Sequence, residues 1–153
     1  MTVLLALVIG IVAGLRAMMA PAATSWAAYL GWLGLDGTWP AFLGNGWTCA
    51  VLTVLALGEL VTDQLPSTPS RTVPVQFIAR VVTGGLSGGA IGAARGAFVG
   101  GLLAGAVGAI VGTLGGRAFR GRLATAFGSD RPAAFVEDAI AIGLAALVLV
   151  ALR

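Results

Sequence analysis

Between Gly84 and Gly116 a small residue stands at every fourth position: Gly84, Gly88, Gly92, Gly96, Gly100, Ala104, Gly108, Gly112 and Gly116. In water such a segment makes a poor helix, because each interior glycine costs about 1 kcal/mol relative to alanine. In a bilayer the same spacing lets two helix backbones approach closely and gain van der Waals contact that lipid does not supply. The stripe therefore predicts an all-α fold whose helices pack through these glycines inside a membrane.

Composition points the same way. The chain has 153 residues, 58% hydrophobic and 10% charged, with a mean hydropathy of +0.99. An average soluble domain carries about 25% charged residues. The sequence pI of about 10.5 rests on a net charge of only +3 and comes without a basic run or an aromatic RNA-binding pattern, so no nucleic-acid partner is expected. The arginines read as topology signals instead. There is no lysine and no histidine, and the one cysteine, Cys49, lies among apolar residues, which leaves no disulfide framework and no thiolate metal site within one chain.

A transmembrane helix needs about 20 mostly apolar residues. Five segments qualify: Thr2 to Met19, Trp47 to Val61, Val75 to Gly92, Phe98 to Gly116 and Ala134 to Leu152. They predict a single transmembrane domain over residues 1–153. Val75 to Gly116 as one helix would run about 60 Å, twice the hydrocarbon thickness, so a turn is expected at Ala93 to Gly96. Arg117, Arg120, Arg122 and Arg131 between the last two spans mark that loop as cytoplasmic. Alternation then predicts a cytoplasmic N-terminus, an external C-terminus, and Arg16, Arg95 and Arg153 on the outer side. A cleaved signal peptide ending near Ala20 to Ala22 is the alternative for the first segment, but no basic residue precedes its apolar run. The four tryptophans and Tyr29 crowd between the first two spans, so Pro21 to Gly46 is expected to lie in the outer interface or to be re-entrant.

Chemistry-bearing residues concentrate on one side of this topology. Glu59 and Asp63 share a helix face, and Glu137 and Asp138 open the fifth span at the same level. Arg80 and Arg71 join them there. Ionisable residues in a membrane usually face a bundle interior or a wet cavity, which makes these six candidates for transport or ligand binding. The bland alternative is ion pairs at helix ends, snorkelled to water. Arg16 between Gly14 and Pro21 is a seventh candidate, as a helix break near the outer mouth or as a helix end in the headgroups. Gln64 to Pro74, rich in proline and hydroxyl residues, is either an anion-binding entry to the third span or a stiff linker. No nucleophile pair with histidine, no P-loop and no Gly-x-Gly-x-x-Gly occurs, so no enzymatic activity, cofactor or metal is assigned. Any metal site would have to be built of oxygen ligands.

The segments GLRAMMAPAATSWAA (Gly14 to Ala28) and GELVTDQLPSTPSRT (Gly58 to Thr72), followed by a glycine-rich half, resemble a family of small bacterial membrane proteins catalogued as domain of unknown function 4126. The resemblance covers nearly the whole chain. It implies a bacterial inner-membrane protein and carries over no catalytic residue. Leu4 to Gly14 also aligns without gaps with Leu102 to Gly112, a pairing that in the five-span topology would be an inverted repeat. The expected function is a small transporter or channel for an ion or solute, working in the bilayer as a homo-oligomer. A structural or assembly protein that docks partner helices through glycine faces is the alternative, and an intramembrane enzyme a third.

Overall fold

The computed structural model describes residues 1–63 and 72–153. Among them are six α-helices and one 3-10 turn: α1 (Thr2–Leu15), α2 (Met19–Tyr29), the 3-10 turn (Trp39–Gly44), α3 (Gly46–Thr62), α4 (Pro74–Ala93), α5 (Phe98–Phe127) and α6 (Asp130–Leu152). Local sequence explains most boundaries. Asn45 caps α3 by accepting from the Trp47 N–H at 2.9 Å, and Pro74 opens α4 where no intrahelical donor is needed. Gly96, at φ +67°, makes the expected turn between α4 and α5, and Gly128, also at φ +67°, ends α5 before α6 runs back.

α5 is the centre of the bundle, with α1 and α4 packed along it. An added Cβ on Gly84 would lie 2.7 Å from the Ala109 Cβ, and one on Gly88 or Gly92 would strike the Gly101 and Ala97 carbonyls respectively. Gly105 is pressed between Gly84 of α4 and Gly10 of α1, while Gly108 and Gly112 meet Leu7, Gly10 and Ile11 of α1. The four-residue spacing drifts about 40° per step on a helix of 3.6 residues per turn. The stripe consequently serves two neighbours in succession. The same drift leaves two predicted packing positions out: Gly100 faces open space, and Gly96 forms the turn. Gly101 and Gly105, outside the predicted register, take the closest contacts with α4. Gly116 is buried in α5.

Helix directions depart from the five-span expectation. The first span stops at Leu15, and α2 runs back from the break at Arg16. Met18 N ahead of α2 donates to Glu59 of α3 while Trp26 Nε1 near the end of α2 donates to Thr53 Oγ1, so these two are antiparallel. The helices thus alternate through six elements, and Met1 and Arg153 both lie at the end remote from Arg16; the Arg153 guanidinium stacks over Trp32 at 5.9 Å. N- and C-termini on opposite sides, as expected from five spans, is corrected accordingly. α1 and α5 also run parallel, since Gly10 meets Gly105 while Gly14 meets Ala109 to Thr113. The self-similar segments are therefore not an inverted pair. Pro21 to Gly46, expected to lie flat or dip in, begins as a helix packed on α3, α4 and α6.

An apolar core built on Leu5, Ile9, Val12, Leu43 and Ile91 is joined by large apolar side chains on the outside and charged ones within. Val51, Val54, Val75, Val82, Val99, Leu103, Leu147 and Val150 are all more than half exposed, while Arg16, Arg80 and Glu137 are 0%, 2% and 0% exposed. By length and composition α5 and α6 are able to cross a membrane; α1 and α3 are apolar but shorter.

Candidate functional site at a broken helix

At Arg16 the backbone is extended (φ −140°, ψ 107°), which ends α1 and leaves carbonyls at its C-terminal end and N–H groups ahead of α2. Side chains from elsewhere in the chain satisfy both sets. On the carbonyl side, Arg80 Nη1 donates to Gly14 O and Leu15 O, each at 2.8 Å, and Thr113 Oγ1 donates to Gly14 O at 3.3 Å. On the N–H side, the Glu59 carboxylate accepts from Ala17 N at 2.7 Å and Met18 N at 2.8 Å. A cation at a helix C-terminus and an anion at an N-terminus match the helix dipole at each end. Arg80 and Glu59 lie 3.7 Å apart, which links the two caps.

Arg16 itself turns inward. Its Nε donates to Asp138 Oδ1 at 2.6 Å, its Nη1 pairs closely with Asp63, and Glu137 Oε2 stands 3.8 Å away. Glu137 is shared with Arg120 at 3.5 Å, and Arg120 continues to Asp130 at 2.6 Å and to the Asp63 carbonyl at 3.3 Å. Three arginines and five carboxylates from α1, α3, α4, α5 and α6 thus make one network, running from the fully buried Arg16 to Asp130, whose side chain is 63% exposed. Ionic hydrogen bonds of this kind are strong only when both partners are retained, since removing one strands a buried charge.

Of the seven candidates from the sequence, Arg16, Glu59, Asp63, Arg80, Glu137 and Asp138 meet in this network, and Arg71 lies outside the described residues. The placement of Arg16 near an outer mouth is corrected: the early end of α1 carries it to the level of the acids. Sequence reasoning passed over Arg120, Asp130 and Thr113. Arg120 and Asp130 flank the Gly128 turn ten residues apart, a signal available in hindsight from the α5–α6 hairpin. Thr113 gave none, as a lone threonine in an apolar helix. Among the described residues no group of Asp, Glu and Cys side chains is arranged to hold a metal.

Fold and site together define an all-helical bundle organised around a discontinuous helix whose free ends are held by buried arginine and glutamate. The chain belongs to the family described as domain of unknown function (DUF4126), whose model matches residues 3–151. No curated protein and no solved structure matches it.

Proposed function

We propose that the protein is a small integral membrane transporter or channel for an ion or small solute, with the network around Arg16 as its site. One observation carries this: a helix is broken inside the bundle, and its free backbone ends face charged side chains brought from other helices. Discontinuous helices with half-helix ends at a substrate site are a recurrent device of membrane transporters. The apolar outer surface supports the bilayer setting, and buried ionisable groups there point to function. Arg117, Arg120, Arg122 and Arg131 at the network end, read by the positive-inside rule, support a cytoplasmic side for that end in a bacterial inner membrane, with both termini outside. Short helices enclose little room for a pathway through one chain, which favours a homo-oligomer; the crevices among the described residues include ones of about 280, 310 and 360 Å³. A scaffold docking partner helices is less well supported, because the contacting glycines of α4 and α5 already meet α1 and each other.

Osmotic swelling of proteoliposomes in potassium chloride, acetate, phosphate or glycine tests the proposal. At least one solute is expected to enter much faster than in protein-free vesicles, and Glu59→Gln is expected to abolish that rate while the protein still assembles. Rates equal to empty vesicles for every solute, with insertion verified, would overturn it.

A further inference from the structure

An apolar crevice of about 280 Å³ lies between α1, α5 and α6, walled by Ile11 and Leu15, Gly115 and Phe119, and Ile140 and Leu144. Its α5 wall is open because Gly115 has no side chain: a Cβ placed there would meet nothing within 4 Å. Among the described residues Glu137 is the one charged residue lining the crevice, and it is 0% exposed and turned to Arg16 and Arg120. The space is therefore too apolar to hold ordered water, which needs several polar partners.

An exposed charge stands at one end of this slot. Val111, Gly115 and Phe119 follow one face of α5 along the crevice, and Arg122 takes the next position on that face, a turn beyond Phe119. Gly115 to Arg122 is about 10 Å along the helix. Arg122 is exposed, and among the described residues it makes no hydrogen bond or ion pair. The acids of α6 near this end are engaged elsewhere: Asp130 accepts from Arg120 at 2.9 and 2.6 Å, and Glu137 faces inward. A guanidinium recognises phosphate in two-point fashion, and basic sites between helices on the cytoplasmic side of a membrane take anionic lipid headgroups. We propose that the crevice binds one anionic phospholipid, with an acyl chain along Gly115 and Ile140 and the phosphate on Arg122. The inference rests on the bilayer setting of the proposed function and adds a partner to it. An apolar helix face from a second copy would fill the crevice but leave Arg122 unanswered.

The experiment is native mass spectrometry of the full chain released from detergent micelles, titrated with dioleoyl phosphatidylglycerol or dioleoyl phosphatidylcholine. One phosphatidylglycerol per chain is expected to be retained about tenfold more tightly than phosphatidylcholine. Arg122→Gln is expected to bring the two lipids to equal affinity, since only the headgroup contact is lost. Gly115→Leu and Ile140→Trp fill the crevice from opposite walls and are expected to weaken both lipids about tenfold, with the melting temperature of Gly115→Leu unchanged. Equal retention of the two lipids by the wild-type protein would overturn the headgroup assignment, and wild-type affinity in either folded crevice variant would overturn the crevice. Dimers that exclude phosphatidylglycerol would assign the crevice to a second copy instead. Binding is read without flux, so selective lipid retention by a protein that swells no vesicle would sink transport and leave the site standing. Absent selectivity in a protein that still supports swelling would sink the site alone.

Discussion

Arg16 and Asp138, 122 residues apart in sequence, are joined at 2.6 Å and tie the end of α1 to the third turn of α6. The bond fixes where the first helix stops. An arginine continuing α1 along its axis would deprive Asp63 and Asp138 of the guanidinium they share, and Glu137 of one of the two guanidiniums it faces, the other being Arg120. Turned inward, it compensates all three and makes the helix break the lesser cost.

Arg16→Met is therefore expected to destabilise the bundle by about 3–5 kcal/mol, the cost of leaving buried carboxylates unpaired. Combining it with Asp138→Asn is expected to recover part of the loss. Unfolding in detergent followed by circular dichroism measures both, and strictly additive effects would show that the two residues are not coupled.

The glycines separate into two groups with different expected costs. Gly108→Leu and Gly84→Leu, at positions where even a Cβ would clash with a neighbouring helix, are expected to cost about 1–3 kcal/mol or prevent assembly. Gly115→Leu, with nothing within 4 Å of its would-be Cβ, is expected to fall within about 0.5 kcal/mol of wild type. Melting temperatures that failed to separate the two groups would contradict the packing of α1 and α4 on α5.

Topology is testable with single cysteines in a Cys49→Ser background. Thr2→Cys and Arg153→Cys are expected to react with an impermeant maleimide from one face of the membrane, and Ser129→Cys from the other. Labelling of Thr2→Cys and Ser129→Cys from the same face would restore the five-span order.

Asn45→Ala removes the cap of α3, and a loss of about 0.5–2 kcal/mol is expected. Because α3 is held mainly at its other end, faster Cys49 modification is expected as well. An unchanged rate together with the stability loss would place the loosening elsewhere.

How much of this was legible in the sequence follows from what each signal depends on. Starts and ends governed by local chemistry were readable: α3 and α4 match the spans from Trp47 and Val75 closely, and the turn at Ala93 to Gly96 stands where length demanded it. α5 continues through Phe127, beyond the expected Gly116, because its arginine-bearing turns are stabilised by hydrogen bonds to Asp130 and Thr72 rather than by hydropathy. The convergence of Glu59, Asp63, Glu137 and Asp138 was legible from helix depth alone. Arg16 was misplaced because hydropathy does not register a helix break, and Leu15 to Met19 is nearly as apolar on either side of it. That one displacement reversed the assignment of sides for α1 and hid α2 within a presumed interfacial segment.

The two caps of the break have a consequence for the order in which the chain is put together. Ala17 and Met18 receive their acceptor from α3, and Gly14 its donors from α4 and α5, so the α1–α2 hairpin made alone lacks partners that its break has in the finished bundle. The first hairpin in the sequence is thus among the last to be completed, and if the chain is inserted in a bilayer as proposed, those backbone groups depend on water until the later helices arrive.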